Sequence, residues 1–239
     1  TTHVADWEEF KDLQIAFLKA GVPEVEVPTD VAIHGALHQA AAREGIRYIM
    51  MGHSFRTEGI SPIEWTYMDG RYIRSIRRRF GTVPQKTVPN ITVTDFLRYG
   101  LWHRIKVVPL LNYGSYVHAE VQKILESELG WRYYGGHHHE CTYTHFIQAG
   151  LLPRKFNIDK RRLEFSALIR SGQMDRQAAL DELARTPYQV DDELVEYCMR
   201  KLGLTMDDYA RIVAEPPKSF RDYPTYHPLL RAMRWPIYL

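Results

Sequence analysis

Apolar positions fall into a helical rhythm almost as soon as the chain begins. In residues 7–20, WEEFKDLQIAFLKA, Phe10, Leu13, Phe17 and Leu18 recur at helical spacing behind acidic residues, which predicts an amphipathic helix. A Pro-punctuated connection, GVPEVEVPTD, follows. A second helix is expected from about residue 30 to 44, with Ile33, Ala36, Leu37 and Ala40 on one face, Thr29 or Asp30 as N-cap, and Gly45 as its stop. IRYIMMG then reads as a short buried strand closed by glycine. Helix, glycine, strand and glycine in that order make half of a βαβ unit, so a mainly parallel sheet is expected. The loop after such a strand, GHSFRTEGISPIEW (52–65), is where open α/β sheets bind ligands. IKVVPLL (105–111) predicts a second buried strand, and from about residue 116 the pattern is helical. The expected architecture is an α/β lobe over 1–115 followed by a mostly helical lobe over 116–239.

Composition narrows this picture little but excludes several classes. The chain has 239 residues, 45% hydrophobic and 25% charged, enough for a substantial core. A formal net charge of +2 gives no global field for nucleic acid or an anionic membrane. No apolar run reaches the length of a membrane span. The opening residues TTHVADWEEF lack the cationic and apolar regions of a signal peptide. They read instead as the end of a strand, the remainder of something longer. Cys141 and Cys198 are too few for a disulfide framework or a four-cysteine zinc site, so a reducing cytoplasm is expected.

Candidate chemistry gathers in a few polar stretches. GGHHHECTYTHF (135–146) packs four histidines, a glutamate and a cysteine together. Its spacings permit chelation by His138 with Glu140, His139 with Cys141, or Cys141 with His145. None forms a C-x-x-C or H-E-x-x-H set, and no metal is expected. RYIRSIRRRFG places Arg71, Arg74 and Arg78 on one helical face, with Arg77 and Arg79 alongside. That face is either solvated or a pyrophosphate contact, with tRNA a weaker alternative. FNIDKRR sets Asp159, Lys160, Arg161 and Arg162 at a helix start. Asp159 caps well, whereas cations are unfavourable at a positive helix end. An anion or acidic partner is therefore expected nearby; pairing with Glu164 or plain exposure is the alternative.

Five stretches, taken together and in order, resemble the N-acetyl sugar amidotransferase family within the PP-loop ATPase superfamily. They are DWEEFKDLQIAFLKAGVPEVEVPTDVAI, GHSFRTEGISP, YGGHHHECTYTHFIQ, LPRKFNIDKRRLEFSALIRSGQMDRQAALDEL and AEPPKSFRDYPTY. The resemblance implies a parallel-sheet, adenine nucleotide α-hydrolase-like lobe that binds ATP and Mg²⁺ and releases AMP and pyrophosphate. It implies conversion of the acetamido group of a nucleotide-linked N-acetyl sugar to an acetamidino group. Ammonia would come from a separate glutaminase subunit, and the product would enter lipopolysaccharide, O-antigen or other surface-glycan biosynthesis. A homo-oligomer is compatible with this reading.

Carried over residue by residue, the resemblance puts Gly52, His53, Thr57 and Glu58 beside the nucleotide, with His53 also catalytic and Arg56 a weaker candidate. It makes His138 and Glu140 an acceptor-site pair and Thr144 a substrate contact. Gly135 and Gly136 would let their loop close over the site, and Lys160, Arg161 and Arg78 are substrate candidates because cations suit the phosphates of a sugar nucleotide. Cys141, Thr142 and His145 depart from the family's usual serine and basic residues. The family's SGGxDS pyrophosphate loop and its cysteine-rich segment lie upstream of Thr1, so the α/β lobe is expected to be incomplete at its N-terminus. Two other readings stand beside this one. The chain would be a PP-loop tRNA-modifying enzyme, or a non-catalytic module that binds or assembles with a glutaminase or ATP-binding subunit.

Overall fold

The computed structural model describes residues 2–136, 138–186 and 188–234, so His137 of the histidine run lies outside the described residues. Internal contacts gather these residues into two units that interleave in sequence. One comprises Thr1–Ile49, Pro62–Lys106 and Ala210–Leu239, the other Met50–Ser61 and Val107–Tyr209. Among the described residues no helix is long and apolar enough to cross a membrane.

The first unit opens with α1 (Trp7–Ala20), as its periodicity predicts. Asp6 caps it by accepting the Glu8 and Glu9 amides, and Gly21 ends it in the left-handed conformation that favours glycine. α2 (Val27–Glu44) begins earlier than expected, and neither Thr29 nor Asp30 is its cap. Pro28 suits a first helical turn, where no amide hydrogen is needed, and that lets the helix start before Thr29. Thr29 instead accepts a hydrogen bond from Gln14 through its hydroxyl. The buried face is also not the expected one: Val31, Gly35, His38 and Ala41 are covered, whereas Ile33 and Leu37 are exposed.

β1 (Tyr48–Met51) follows, then α3 (Ile63–Thr66), α4 (Gly70–Phe80) and α5 (Val93–Leu97). β2 (Lys106–Pro109) pairs with β1 in a small parallel sheet, the two strands falling within the two apolar runs expected to form them. Two strands cover little of each other's faces, and β1 is correspondingly open: Tyr48 and Met50 are exposed and Ile49 is buried. The parallel pairing is as expected and consistent with an α/β chain, but the sheet is small, its first strand is open rather than buried, and the described residues are mostly helical.

The core of this unit is aromatic. Phe17 of α1 meets Tyr72 of α4 edge-on at 5.6 Å, and Tyr67 stacks on Phe220 at 4.1 Å. Two carboxylates on α1 then hold the loop after α4. Glu9 accepts the amides of Lys86, Thr87 and Val88. Asp12 accepts the Thr82 amide and hydroxyl, at 2.9 and 2.7 Å, and the Val83 amide at 3.1 Å. Clustered donors of this kind need a charged acceptor when water is excluded.

The second unit contains α6 (His118–Leu129), α7 (Thr142–His145), a π-helical segment (Phe146–Phe156), α8 (Arg161–Arg170), α9 (Arg176–Arg185) and α10 (Asp192–Leu202). α11 (Met206–Ala214) carries the chain back to the first unit, which also holds α12 (His227–Arg234). The helical character expected from about residue 116 is present. The π-helical segment was not anticipated: Pro153 lies inside it and Asn157 closes it in the left-handed region. Its residues 146–152 form the middle of the unit's core, joined by Val195, Cys198 and Met199 of α10.

Replacing Asp12 by Ala should destabilise the protein by about 1.5–3 kcal/mol, because the donors of Thr82 and Val83 lose a charged acceptor. Urea unfolding measures this; an unchanged midpoint would mean that water satisfies that loop.

Candidate functional site

The loop from Gly130 to Thr142 is shaped by what one ring does. His139 turns inward and stacks on His145 of α7, with centroids 3.9 Å apart and planes at 21°. Its Nε2 lies 3.3 Å from the Tyr188 hydroxyl, which in turn donates to Gln148 Oε1 of the π-helical segment. Gly136 passes directly over this imidazole, where a Cβ would fall within the ring's van der Waals radius. Gly135 is needed for another reason, its φ of 93°. With His139 drawn in, His138 takes a left-handed backbone (φ 61°), a conformation that costs a non-glycine residue about 1 kcal/mol or more. The His138 side chain stays exposed, and its Nδ1 meets Glu140 Oε1 at 3.3 Å.

The electrostatics divide the surrounding groups. Burial pushes the His139 imidazole down to about 4, with His145 adding to the effect, so it is neutral at physiological pH. His145 is itself lowered by burial. Two carboxylates near His138 are driven apart. Burial would raise Glu140, but backbone, His138 and Tyr134 hydrogen bonds outweigh it and hold the carboxyl below its ordinary value. Glu164 of α8 goes the other way: burial raises it, and His138 and Arg161 offset only part of the rise. Carboxyls whose environments separate their proton affinities are the usual arrangement for acid and base roles.

The start of α8 resolves the basic trio. Arg161 is clamped to Asp159 through Nε and Nη2, at 3.1 and 2.7 Å, and donates to the Thr186 carbonyl at 2.6 Å. Its guanidinium also lies 4.7 Å from the Tyr188 ring centroid. Arg161 thus pairs with Asp159 rather than with Glu164, and Asp159 lies one residue ahead of the cap it was expected to form. Lys160 occupies the N-cap position of α8, and Thr144 is half-buried in α7. Arg162 lines a cavity of about 650 Å³ between α8 and α9, together with Phe165, Ile169, Arg170, Leu180 and Leu183. Arg78 is exposed on α4 in the other unit.

The loop after β1 forms a second, self-contained pair. Glu58 Oε2 lies 2.6 Å from His53 Nδ1, and Glu58 Oε1 accepts the Ser54 amide at 3.1 Å. Thr57 is buried and turns its hydroxyl toward the Ser54 carbonyl. The loop is moored by the Phe55 amide to Asn112 and by the Ser171 hydroxyl to the Arg56 carbonyl. Gly52 and the His53 ring face outward. Both oxygens of Glu58 are therefore engaged inside the loop. Each oxygen accepts one bond and keeps further acceptor capacity on a half-buried carboxylate. Among the described residues no group of three or more His, Cys, Asp or Glu side chains is placed to hold a metal ion.

The second unit thus carries an exposed His138–Glu140 pair, with Glu140 held below its ordinary value and Glu164 of α8 raised above it. Residues 140–236 match a family model described as LPS biosynthesis protein WbpG-like, C-terminal domain. No curated protein and no solved structure matches the chain. The matched span takes in Glu140, Thr144, Lys160, Arg161 and Glu164, and leaves out His53, Glu58 and His138. Sequence reasoning saw Glu164 only as a counter-charge for the basic trio, and it passed over Tyr134, Tyr188 and the inward role of His139. The side-by-side aromatics at 133 and 134 were the one available signal.

Two outcomes are expected. Gly136→Ala should push the His139 ring out of its stack and cost about 1–3 kcal/mol; an unaltered denaturation midpoint would show the ring is not seated there. The lowered His139 pKa sets a sign: its contribution is complete above the ordinary value of 6.5 and lost as pH falls through about 4. His139→Phe should therefore flatten the decline of the thermal midpoint between pH 6.5 and 4. Parallel wild-type and mutant curves would contradict this.

Proposed function

We propose that this protein acts in lipopolysaccharide biosynthesis as an ATP-dependent amidotransferase, exchanging the acetamido oxygen of a nucleotide-linked N-acetyl sugar for nitrogen. The observation that carries this reading is the exposed His138–Glu140 pair on a glycine-hinged loop, with Glu140 held ionised and Glu164 raised close by. The family match over 140–236 supports the pathway. The collinear resemblance along the chain supports the reaction.

In this reading the sugar's acetamido group lies against Glu140, whose carboxylate accepts the amide N–H and fixes the carbonyl carbon for attack. As ammonia bonds to that carbon, the carbon–oxygen bond breaks and the oxygen leaves on AMP, while the new nitrogen sheds a proton that Glu140 takes as base. His138 orients Glu140 through their contact and disperses the charge. A positioned base of this kind contributes about 10²–10⁴-fold. ATP with Mg²⁺ supplies the activation of the amide oxygen. The outward Gly52 and His53 ring are the parts of the 52–58 loop open to the nucleotide. A glutaminase subunit supplies ammonia.

The engagement of Glu58 within its own loop favours one alternative: a module that binds the sugar nucleotide while another polypeptide activates it.

The natural protein, given ATP, Mg²⁺, ammonium and UDP-N-acetyl sugars, should release AMP in step with loss of the amide by mass spectrometry. Glu140→Gln should lower kcat at least 100-fold with little change in KM. Sugar-nucleotide binding without AMP release would favour the module. Neither binding nor turnover would sink both readings.

A further inference from the structure

The cavity between α8 and α9 is lined with a strict period. Counting from Arg162, α8 lines it at i, i+3, i+4, i+7 and i+8; counting from Arg176, α9 lines it at the same offsets. Those offsets trace one stripe along a helix, so each helix turns a single face, from its first turn to its last, to the same space. The middle of each stripe is apolar, with Phe165 and Ile169 on α8 and Leu180 and Leu183 on α9. Two stripes of this kind ordinarily close on a third element. Here Leu180 is 44% exposed, and the groove keeps a volume of about 650 Å³.

Its charges have one sign. Arg162, Arg170 and Arg176 line the groove and are exposed, and among the described residues no Asp or Glu lines it. The acids of α9 are engaged elsewhere: Asp181 accepts from Gln177, and Glu182 pairs with Arg185. Arg170 reaches only the Ser166 carbonyl of its own helix. Arg162 and Arg176 stand in the first turns of α8 and α9, where the helix field disfavours a cation, so neither serves its own helix there. Carboxylates brought to the rim by an occupant would offset that cost.

We propose that this groove receives an acidic amphipathic helix of a partner polypeptide. Its apolar stripe would lie on Phe165, Ile169, Leu180 and Leu183, and its carboxylates against the three arginines, whose planar forks suit them. The inference is independent of the amidotransferase reading. Each wall is a helix of 10 residues, about 15 Å long, which matches the three turns over which helix-in-groove anchors act. The volume alone would suit a small molecule, but such sites enclose most of their ligand, whereas both walls here are open at Ser166 and Ala184 as well as at the arginines. A second copy joined groove to groove would set arginine against arginine, so a symmetric dimer through this face is disfavoured.

Fluorescence anisotropy on the natural protein tests this with two labelled synthetic helices. One carries leucines at i, i+3, i+4 and i+7 on a glutamate background, and its twin has lysine for every glutamate. The acidic helix should bind about ten-fold or more tightly than its twin, and Leu180→Asp should weaken it about ten-fold. Arg162→Glu with Arg176→Glu should reverse the preference, so that the lysine twin binds better, and the milder Arg162→Gln with Arg176→Gln should abolish it. Circular dichroism of these variants should match wild type, because all three positions are exposed. No binding of either helix, equal affinity for the twins, or a preference unchanged by the charge reversal overturns the proposal. Binding that ignores Leu180→Asp and is displaced by millimolar pyrophosphate would mark a simple anion site and overturn it too. Self-association of the wild type that Leu180→Asp abolishes, measured by sedimentation, would put a second copy in the groove instead and overturn the partner helix.

Discussion

The seating of His139 against His145 is the contact on which the candidate site depends. An imidazole drawn into half-buried surroundings must be neutral, and the Tyr188 hydroxyl then gives its ring nitrogen a partner. Everything local follows from that inward turn. Gly136 has to be glycine to pass over the ring, His138 has to adopt a left-handed backbone, and its side chain is thereby left outside with Glu140. Tyr188 also links the loop to Gln148 and to the Arg161–Asp159 clamp, so one stacked pair ties the loop to the π-helical segment and to the start of α8.

Much of the helical framework was legible in the chain, and the reasons are local. Asp6 and Gly21 bracket α1, and Asp175 and Asp191 cap α9 and α10 by side-chain hydrogen bonds of the kind their sequence positions announce. What was not legible depended on partners distant in sequence. Which face of α2 is covered is decided by neighbours such as Tyr99, which lies against His38, and apolar character alone misassigned it to Ile33 and Leu37. Short apolar runs announced strands but not how few neighbours those strands would have, since periodicity carries no information about sheet size.

The site was legible in part. His138, Glu140 and the two glycines could be singled out as a polar, glycine-flanked cluster, and the pairing of the first two is a contact between near neighbours. The roles of the other loop residues were not, because a histidine that packs and a histidine that reacts are the same letter. His139 and His138 differ only in the direction the backbone sends them. The pairing of Arg161 with Asp159 is likewise a two-residue relation that a charge pattern shows but does not settle. A solvated cation and a clamped one have the same sequence.

The widened turns of residues 146–156 have a consequence for how this chain tolerates change. A π-helical stretch holds an additional residue relative to an α-helix of the same span. Removing that residue would let the backbone return to α geometry with the flanking turns still in phase. A further inserted residue has no such slack to use and would rotate the side chains after it by about 100°, taking Gln148 away from Tyr188. The segment therefore tolerates a change of length in one direction only.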